Sequence, residues 1–291
     1  MKRLICVISL LSATPVFAQV DCTLTGSGIA PAVYTRSAAH QTVGLDVASQ
    51  VVPLDAAGTP STTGKIGVAV LGMSNASALA PTVSILFNRG FDDSPAVVWA
   101  NGPKSGKTTE FWADPTDDAW THLASRVTSA KLTAAQVQVA IIYVAAQKQL
   151  PIPTPAWRFR AIADNLLTNY PNVKLFVWSP INGTNYGTGP YAINIHATIR
   201  MDDETLTTLV EDPAAWPAGT WHDLKSLWAD GLSPNPSTRS RSFPDGIFWR
   251  CSDSDDDGVH QSSNGANRSG WSIFERLIED PVWRPWALVA P

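Results

Sequence analysis

Four short apolar runs recur between positions 66 and 178, and longer stretches with a different hydrophobic period separate them. The runs are no longer than eight residues, are mostly β-branched or aromatic, and are apolar at nearly every position. Strands that are buried on both faces of a sheet have this composition. The pattern therefore predicts strands over residues 66–71, 96–100, 137–144 and 173–178.

The stretches between these runs have the spacing of amphipathic helices. Residues 117–131 place Trp120, Leu123 and Val127 three or four positions apart, and residues 157–170 carry a similar apolar stripe. Side chains at this spacing share one face of a helix. Strands that alternate with helices predict an α/β fold, in which a parallel sheet is covered by helices on both faces.

The chain divides into an arm and a domain. Residues 19–63 are rich in Thr, Ser, Ala, Gly and Pro without a clear period, and they predict an irregular arm that wraps on the domain. Residues 64–291 form the predicted domain. Within it, residues 180–245 predict long loops with one helix near 203–210, and a last helix is predicted to begin at Ile273.

The first eighteen residues have the order of a secretory signal. Lys2 and Arg3 precede an apolar run over residues 4–11, and the small-residue site Val16-Phe17-Ala18 follows. This order predicts a signal peptide over residues 1–18 and export to the periplasm or the medium. An N-terminal anchor helix is the alternative, although the apolar run is short.

Cysteine usage fits an exported protein. Loss of the signal removes Cys6 and leaves Cys22 and Cys251. Disulfides persist in oxidising compartments, and two cysteines pair without remainder, so a Cys22–Cys251 bridge is predicted. Two unpaired buried thiols are the alternative.

The charge and the apolar pattern of the chain argue against a nucleic-acid partner and against a membrane span. The chain has 291 residues and a formal net charge of −4, and no run of basic residues stands out. Nucleic-acid-binding proteins normally carry a basic patch, so a nucleic-acid partner is not expected. After the first twenty residues, no apolar stretch is long enough to span a bilayer.

A serine follows the first predicted strand in the segment Gly72-Met73-Ser74-Asn75. In an open parallel sheet, ligands bind beyond the carboxyl ends of the strands. Gly72 permits a sharp turn there, and Ser74 then presents its hydroxyl at the edge of the sheet. Serine beside glycine at a strand end is also common in plain turns and helix caps.

Asp257 and His260 lie three residues apart in one acidic loop near the C-terminus. A serine hydroxyl becomes a nucleophile when a base removes its proton, and a carboxylate orients that base. One loop that carries both groups therefore has the composition of a catalytic acid–base pair. A surface histidine beside acidic loop residues is the alternative.

A glycine-rich turn follows the second predicted strand and ends at Gly106. Glycine lets a backbone N–H approach a developing oxyanion closely. The alternative is a flexible turn without a role in catalysis.

These pieces, in this order, resemble the SGNH (GDSL-like) hydrolase superfamily, and more closely a branch of it found in exported bacterial proteins. The resemblance runs from about residue 50 to the C-terminus. The matching stretches are Pro53-Leu54-Asp55, Gly64-Lys65-Ile66, Gly72-Met73-Ser74-Asn75, Trp112-Ala113-Asp114, Leu227-Trp228-Ala229-Asp230-Gly231, Asp245-Gly246 and Asp256-Asp257-Gly258-Val259-His260-Gln261-Ser262, continuing through Gly265.

The resemblance implies a flavodoxin-like three-layer α/β/α domain that hydrolyses acyl esters without a metal or other cofactor. Ser74 is then the nucleophile, His260 the general base and Asp257 the residue that orients it. The backbone N–H groups of Ser74 and Gly106 are then the oxyanion donors. The expected partner is a small-molecule ester or an acylated carbohydrate, the latter because Trp can stack on sugar rings.

One block departs from the superfamily pattern. Its members usually carry a Gly-x-Asn-Asp segment after the third strand, and the Asn is a further oxyanion donor. Here residues 143–149 contain no Asn. The amide of Gln147 is also a donor and is the candidate substitute, while a solvent-facing Gln147 is the alternative.

Three functions fit the sequence. The first is the exported esterase, and the second is a catalytically silent SGNH-fold module that binds glycan through some of its 12 Trp residues. The third is a calcium-dependent structural protein, because Asp253, Asp255 and Asp257 match the first half of a calcium loop. The twelfth position of that loop is Asn264 instead of Glu, and we predict no metal site.

Overall fold

The computed structural model describes residues 19–20, 34–88, 94, 96–146, 152–179, 187–225 and 251–288. The strands are β1 (Gln19–Val20), β2 (Ile66–Gly72), β3 (Val97–Asn101), β4 (Val137–Tyr143), β5 (Leu175–Trp178), β6 (Gly187–Thr188) and β7 (Trp221–Leu224). The helices are α1 (Ala38–Ala48), α2 (Ser74–Asn88), α3 (Thr109–Ala113), α4 (Asp118–Ser129), α5 (Ala156–Asn169), α6 (Gly189–Leu209), α7 (Ser263–Glu279) and α8 (Arg284–Ala287).

The central sheet has five strands in the order β3-β2-β4-β5-β7, and every neighbouring pair is parallel. Helices cover it on both sides, so the fold is α/β, as the sequence predicts, and has the layers of a flavodoxin-like α/β/α sandwich. The four predicted strands are confirmed as β2, β3, β4 and β5. The fifth strand, β7, lies in a region where the sequence predicts loops.

Alternate residues of the central strands contact different helical layers. Val68 and Val70 pack in a core with α1, α2, α7 and α8, whereas Ala69 and Leu71 pack in a second core with α3, α4, α5 and α6. Every residue of β2 and β4 is buried. Burial on both faces explains why these strands are apolar at nearly every position.

The predicted irregular arm contains the helix α1. The side chain of Ser37 accepts a hydrogen bond from the N–H of His40 at 3.1 Å and caps the helix. Of this helix, the structure buries only Gly44 and Ala48. Because the helix has no apolar stripe, periodicity does not predict it.

Two other helices begin earlier than the sequence predicts. The helix predicted near residues 203–210 is α6, which begins at Gly189, and the helix predicted from Ile273 is α7, which begins at Ser263. The first half of α7 is mostly polar, so it lacks the apolar pattern that marks a buried helix. No helix in the described parts of the chain is both long and apolar enough to cross a membrane.

A buried cluster of charges ties the arm to the domain. Arg36 forms ion pairs with Asp223, which follows His222 in β7, and with Asp280 at the end of α7. Lys225 also pairs with both carboxylates. The side chains of Asp223 and Asp280 are 0% and 4% exposed, so these charges depend on one another for solvation.

Candidate active site

The nucleophile candidate lies at the carboxyl edge of the sheet, where β2 passes into α2. Gly72 ends the strand, and Ser74 is the first residue of the helix. A Cβ atom at Gly72 would lie 2.3 Å from the carbonyl oxygen of Tyr143 on β4, so only glycine fits at this position. The close approach of the two strands therefore fixes the turn that presents Ser74.

Ser74, His260 and Asp257 form a continuous series of hydrogen bonds. Ser74 Oγ lies 2.8 Å from Nε2 of His260, and Nδ1 of the same ring lies 2.5 Å from Oδ2 of Asp257. A carboxylate only accepts hydrogen bonds, so the neutral ring carries its proton on Nδ1 and donates to Asp257. The unprotonated Nε2 then faces the hydroxyl, as a general base requires.

Asp257 also shapes the loop that holds His260. Its Oδ1 accepts hydrogen bonds from the N–H groups of Val259 at 2.9 Å and His260 at 2.8 Å. Burial alone would raise the pKa of Asp257, but the hydrogen bonds from His260 and Val259 outweigh burial and lower it. Asp257 therefore remains a carboxylate at neutral pH.

Asn75, the residue after the nucleophile, connects α2 to the histidine loop. Its side chain is 4% exposed. Nδ2 donates to the carbonyl oxygen of Val259 at 3.3 Å, and Oδ1 accepts from the N–H of Gln261 at 3.4 Å. These two bonds lie on either side of His260 in the chain. The sequence places Asn75 in a matching motif but gives no sign of this role.

The turn that carries Gly106 is fastened to the nucleophile turn. Trp112 is fully buried, and its indole N–H lies 3.3 Å from the carbonyl oxygen of Gly72 and 3.1 Å from that of Lys107. The N–H of Lys104 also donates to Gly72 at 2.9 Å. Gly106 itself has a φ of +77°, which favours glycine, and it lines the same cleft as Ser74.

The end of β4 closes another side of the site. Ala146 donates its N–H to Asp202 of α6 at 3.0 Å, and Thr154 donates both its N–H and its hydroxyl to the same carboxylate. Burial raises the pKa of Asp202 to about 6, although these hydrogen bonds offset part of the rise. Gln147 lies outside the described residues, so its role as an oxyanion donor stays a prediction.

A cleft of about 410 Å³ opens beside Ser74. Met73, Ala145, Ile195, Ile199 and Val259 supply most of its apolar lining. Ile195 and Ile199 come from the first half of α6, where the sequence predicts loops. The spacing of Ile195, Ile199 and Leu206 is helical, and this signal could have identified that half of the helix.

Asp253 and Asp257, in the acidic segment before His260, pair with other residues of the same chain. Asp253 forms an ion pair with Arg268, and Asp257 hydrogen-bonds to His260. Within the described ranges, no three His, Cys, Asp or Glu residues group as metal ligands. Cys22 lies outside those ranges, so the Cys22–Cys251 disulfide stays a prediction.

Comparison of the chain with models of known protein families finds no matching family, and comparison with curated proteins finds no match. The assignment of function therefore depends on the chemistry of the site.

Proposed function

We propose that the chain is an exported serine esterase that hydrolyses carboxylic (acyl) esters. The observation that carries the proposal is the pair of hydrogen bonds from Ser74 through His260 to Asp257, at the carboxyl edge of a parallel sheet. Ser74 and His260 are 186 positions apart in the chain, and the tautomer that Asp257 favours is the one that activates a serine. The resemblance to SGNH hydrolases supports the same roles.

The proposed reaction has two halves. Ser74 Oγ attacks the carbonyl carbon of the ester while Nε2 of His260 takes the hydroxyl proton. The tetrahedral intermediate collapses, the bond to the alcohol oxygen breaks, and His260 returns the proton to the leaving alcohol. Water then attacks the acyl-serine with His260 as base, and the carboxylic acid leaves as Ser74 regains its proton.

The position of Ser74 at the start of α2 favours the negative charge that develops in this reaction. The first N–H groups of a helix have no intrahelical partner, and its N-terminus carries a partial positive charge. The N–H groups of Ser74 and Gly106 are the proposed oxyanion donors. Loss of one such donor typically lowers the rate on the order of a hundredfold or more.

Hydrolysis of p-nitrophenyl esters by the wild type, Ser74→Ala and Ser77→Ala tests the proposal. Ser77 lies one turn further along α2, and its hydroxyl donates to the carbonyl oxygen of Met73, so Ser77→Ala is the matched control. We expect Ser74→Ala to lose turnover and Ser77→Ala to keep it. A fluorophosphonate should phosphonylate Ser74 in the wild type with loss of fluoride, and mass spectrometry should find the phosphonyl group on that residue. Equal turnover by the wild type and Ser74→Ala would contradict the proposal that the chain is a serine esterase.

The silent glycan-binding module remains the second hypothesis, and the tryptophans in the described parts of the chain give it little support. Among the described residues only Trp157 and Trp271 have exposed indoles, at 62% and 44%. They lie on α5 and α7, which cover opposite faces of the sheet. Two indoles on opposite faces do not form one platform for a sugar.

Export rests on the signal peptide predicted over residues 1–18, which lie outside the described residues. Expression with this segment in a bacterium, followed by fractionation and determination of the mature N-terminus, tests it. Cleavage after Ala18 is the expected result, and retention of Met1 in the cytoplasm would contradict it.

A further inference from the structure

The cleft beside Ser74 has one continuous apolar wall. Met73, Ala145, Ile195 and Ile199 form a cluster, and Val259 packs against it. All four members of the cluster are less than a tenth exposed. Met73 and Val259 immediately precede Ser74 and His260, so the wall adjoins the proposed reacting groups directly.

Helix α6 holds this wall in place. Ile195 and Ile199 are one helical turn apart, and Asp202 and Leu206 continue the same stripe. Leu206 is buried in the second core, between the sheet and the helices α3 to α6. Asp202 accepts hydrogen bonds from Ala146 and Thr154. Because Asp202 and Leu206 are fixed, the turns of α6 that follow the two isoleucines are anchored to the domain.

The described lining of the cleft contains no Lys, Arg, Asp or Glu. Its polar groups belong to Ser74, Asn75, Ser105, Gly106 and His260, which lie on the side of the proposed chemistry. A charged group placed against the apolar wall would lose its hydration without an opposite charge to replace it. An uncharged alkyl group would instead gain from burial.

We propose that this wall binds the acyl chain, so that the substrates are esters of short to medium, uncharged alkyl acids. In this arrangement Ile195 and Ile199 set the length of chain that the site accepts. The cleft, at about 410 Å³, lies within the usual size range of small-molecule sites. The inference rests on the proposed esterase function and specifies its acyl group.

Rates with p-nitrophenyl acetate, butyrate, hexanoate and octanoate test the proposal. The wild type should prefer hexanoate to acetate by roughly tenfold or more in kcat/KM, since each buried methylene favours binding. Ile199→Phe fills the cleft and should reverse this ratio while acetate hydrolysis continues. Ile199→Ala deepens it and should move the preference toward octanoate. Ile85→Phe and Ile85→Ala are the controls, because Ile85 is 44% exposed on α2.

An ester of equal length with a charged end separates polarity from size. The p-nitrophenyl ester of 6-aminohexanoate should react at least roughly tenfold more slowly than the heptanoate, whose acyl chain has the same number of heavy atoms. Ser74-dependent turnover with the same chain-length profile in all variants, or equal rates for these two esters, would overturn the acyl site alone. No Ser74-dependent turnover with any ester would overturn the esterase and the acyl site together.

Discussion

Asn75 holds Val259 through a hydrogen bond of 3.3 Å from Nδ2 to the carbonyl oxygen, and its Oδ1 accepts from the N–H of Gln261. The nucleophile and the base are 186 positions apart in the chain, and the residue beside the nucleophile fixes the residues beside the base. The distance between Ser74 and His260 thus depends on Asn75, which acts as a positioning residue.

We expect Asn75→Ala to lower kcat for ester hydrolysis by roughly a hundredfold and to leave KM nearly unchanged. The histidine loop would lose both of its bonds to Asn75, and small displacements of a base have effects of this size. The measurement is steady-state kinetics with p-nitrophenyl butyrate, together with a thermal unfolding curve.

Asn267→Ala is the control for this variant. Asn267 lies on α7 and accepts a hydrogen bond from Thr82 on α2 at 2.9 Å, so its loss also removes a contact between the nucleophile helix and the C-terminal part of the chain. It should keep the wild-type kcat. Equal loss of kcat in both variants would show that Asn75 acts only through general stability.

We expect Asp257→Asn to lower kcat by roughly ten thousandfold. The amide has no charge to stabilise the imidazolium, and it no longer forces the proton onto Nδ1 of His260. The lowered pKa of Asp257 means that the wild type keeps this charge at neutral pH. Single-turnover and steady-state rates with the same ester measure the effect.

Asp256→Asn is the matched substitution for that experiment. Asp256 precedes Asp257 in the same exposed loop, and its own N–H donates to Asp255. We expect it to retain full activity. A large loss in Asp256→Asn, or none in Asp257→Asn, would contradict the proposed role of Asp257.

The sequence identifies the parts of the fold and site that depend on local pattern. The strands β2 and β4 are buried on both faces, so their apolar runs are enough to predict them. Gly72 at the end of β2 predicts the turn that presents Ser74. The strand β7 reads Trp-His-Asp-Leu, and its polar residues are buried beside Arg36 and an aromatic stack. Such a strand has no apolar run to reveal it.

Contacts between distant residues account for what the sequence does not predict. The bonds from Asn75 to Val259 and from Ala146 to Asp202 join residues that are 184 and 56 positions apart. No spacing along the chain encodes either pair. The Asp257–His260 pair could be predicted because a single loop carries both residues.

We expect Arg36→Met to lower the free energy of unfolding by about 3 kcal/mol at neutral pH, because it leaves two buried carboxylates with one fewer cation. Burial alone would raise the pKa of Asp280, but Arg36 and Lys225 outweigh burial and lower it. The stability that Asp280 contributes is therefore present above its ordinary carboxyl pKa and is lost as the pH falls through the lowered value.

Urea unfolding at about pH 7 and about pH 3 measures this deficit. The difference between Arg36→Met and the wild type should shrink in acid. Arg160→Met, which breaks an exposed ion pair with Asp164 on α5, is the control and should cost less than about 1 kcal/mol. A deficit that is the same at both pH values would show that Arg36 acts through packing on Trp221 instead of charge.

Asp202 should give a pH dependence of the opposite sign. Its pKa is about 6 in the folded protein against an ordinary 3.8, so between these values the folded chain holds a proton that the unfolded chain has lost. Stability from this group therefore falls as the pH rises through that window, by at most about 1.4 kcal/mol per pH unit. Asp202→Asn has an amide in place of the titrating carboxyl. The difference in free energy of unfolding between the two proteins, measured in urea from about pH 4 to about pH 7, therefore reports the titration of Asp202. The wild type could instead exceed Asp202→Asn in free energy of unfolding by an amount that stays constant or grows over this pH range. That result would mean that Asp202 holds Ala146 and Thr154 as a carboxylate throughout.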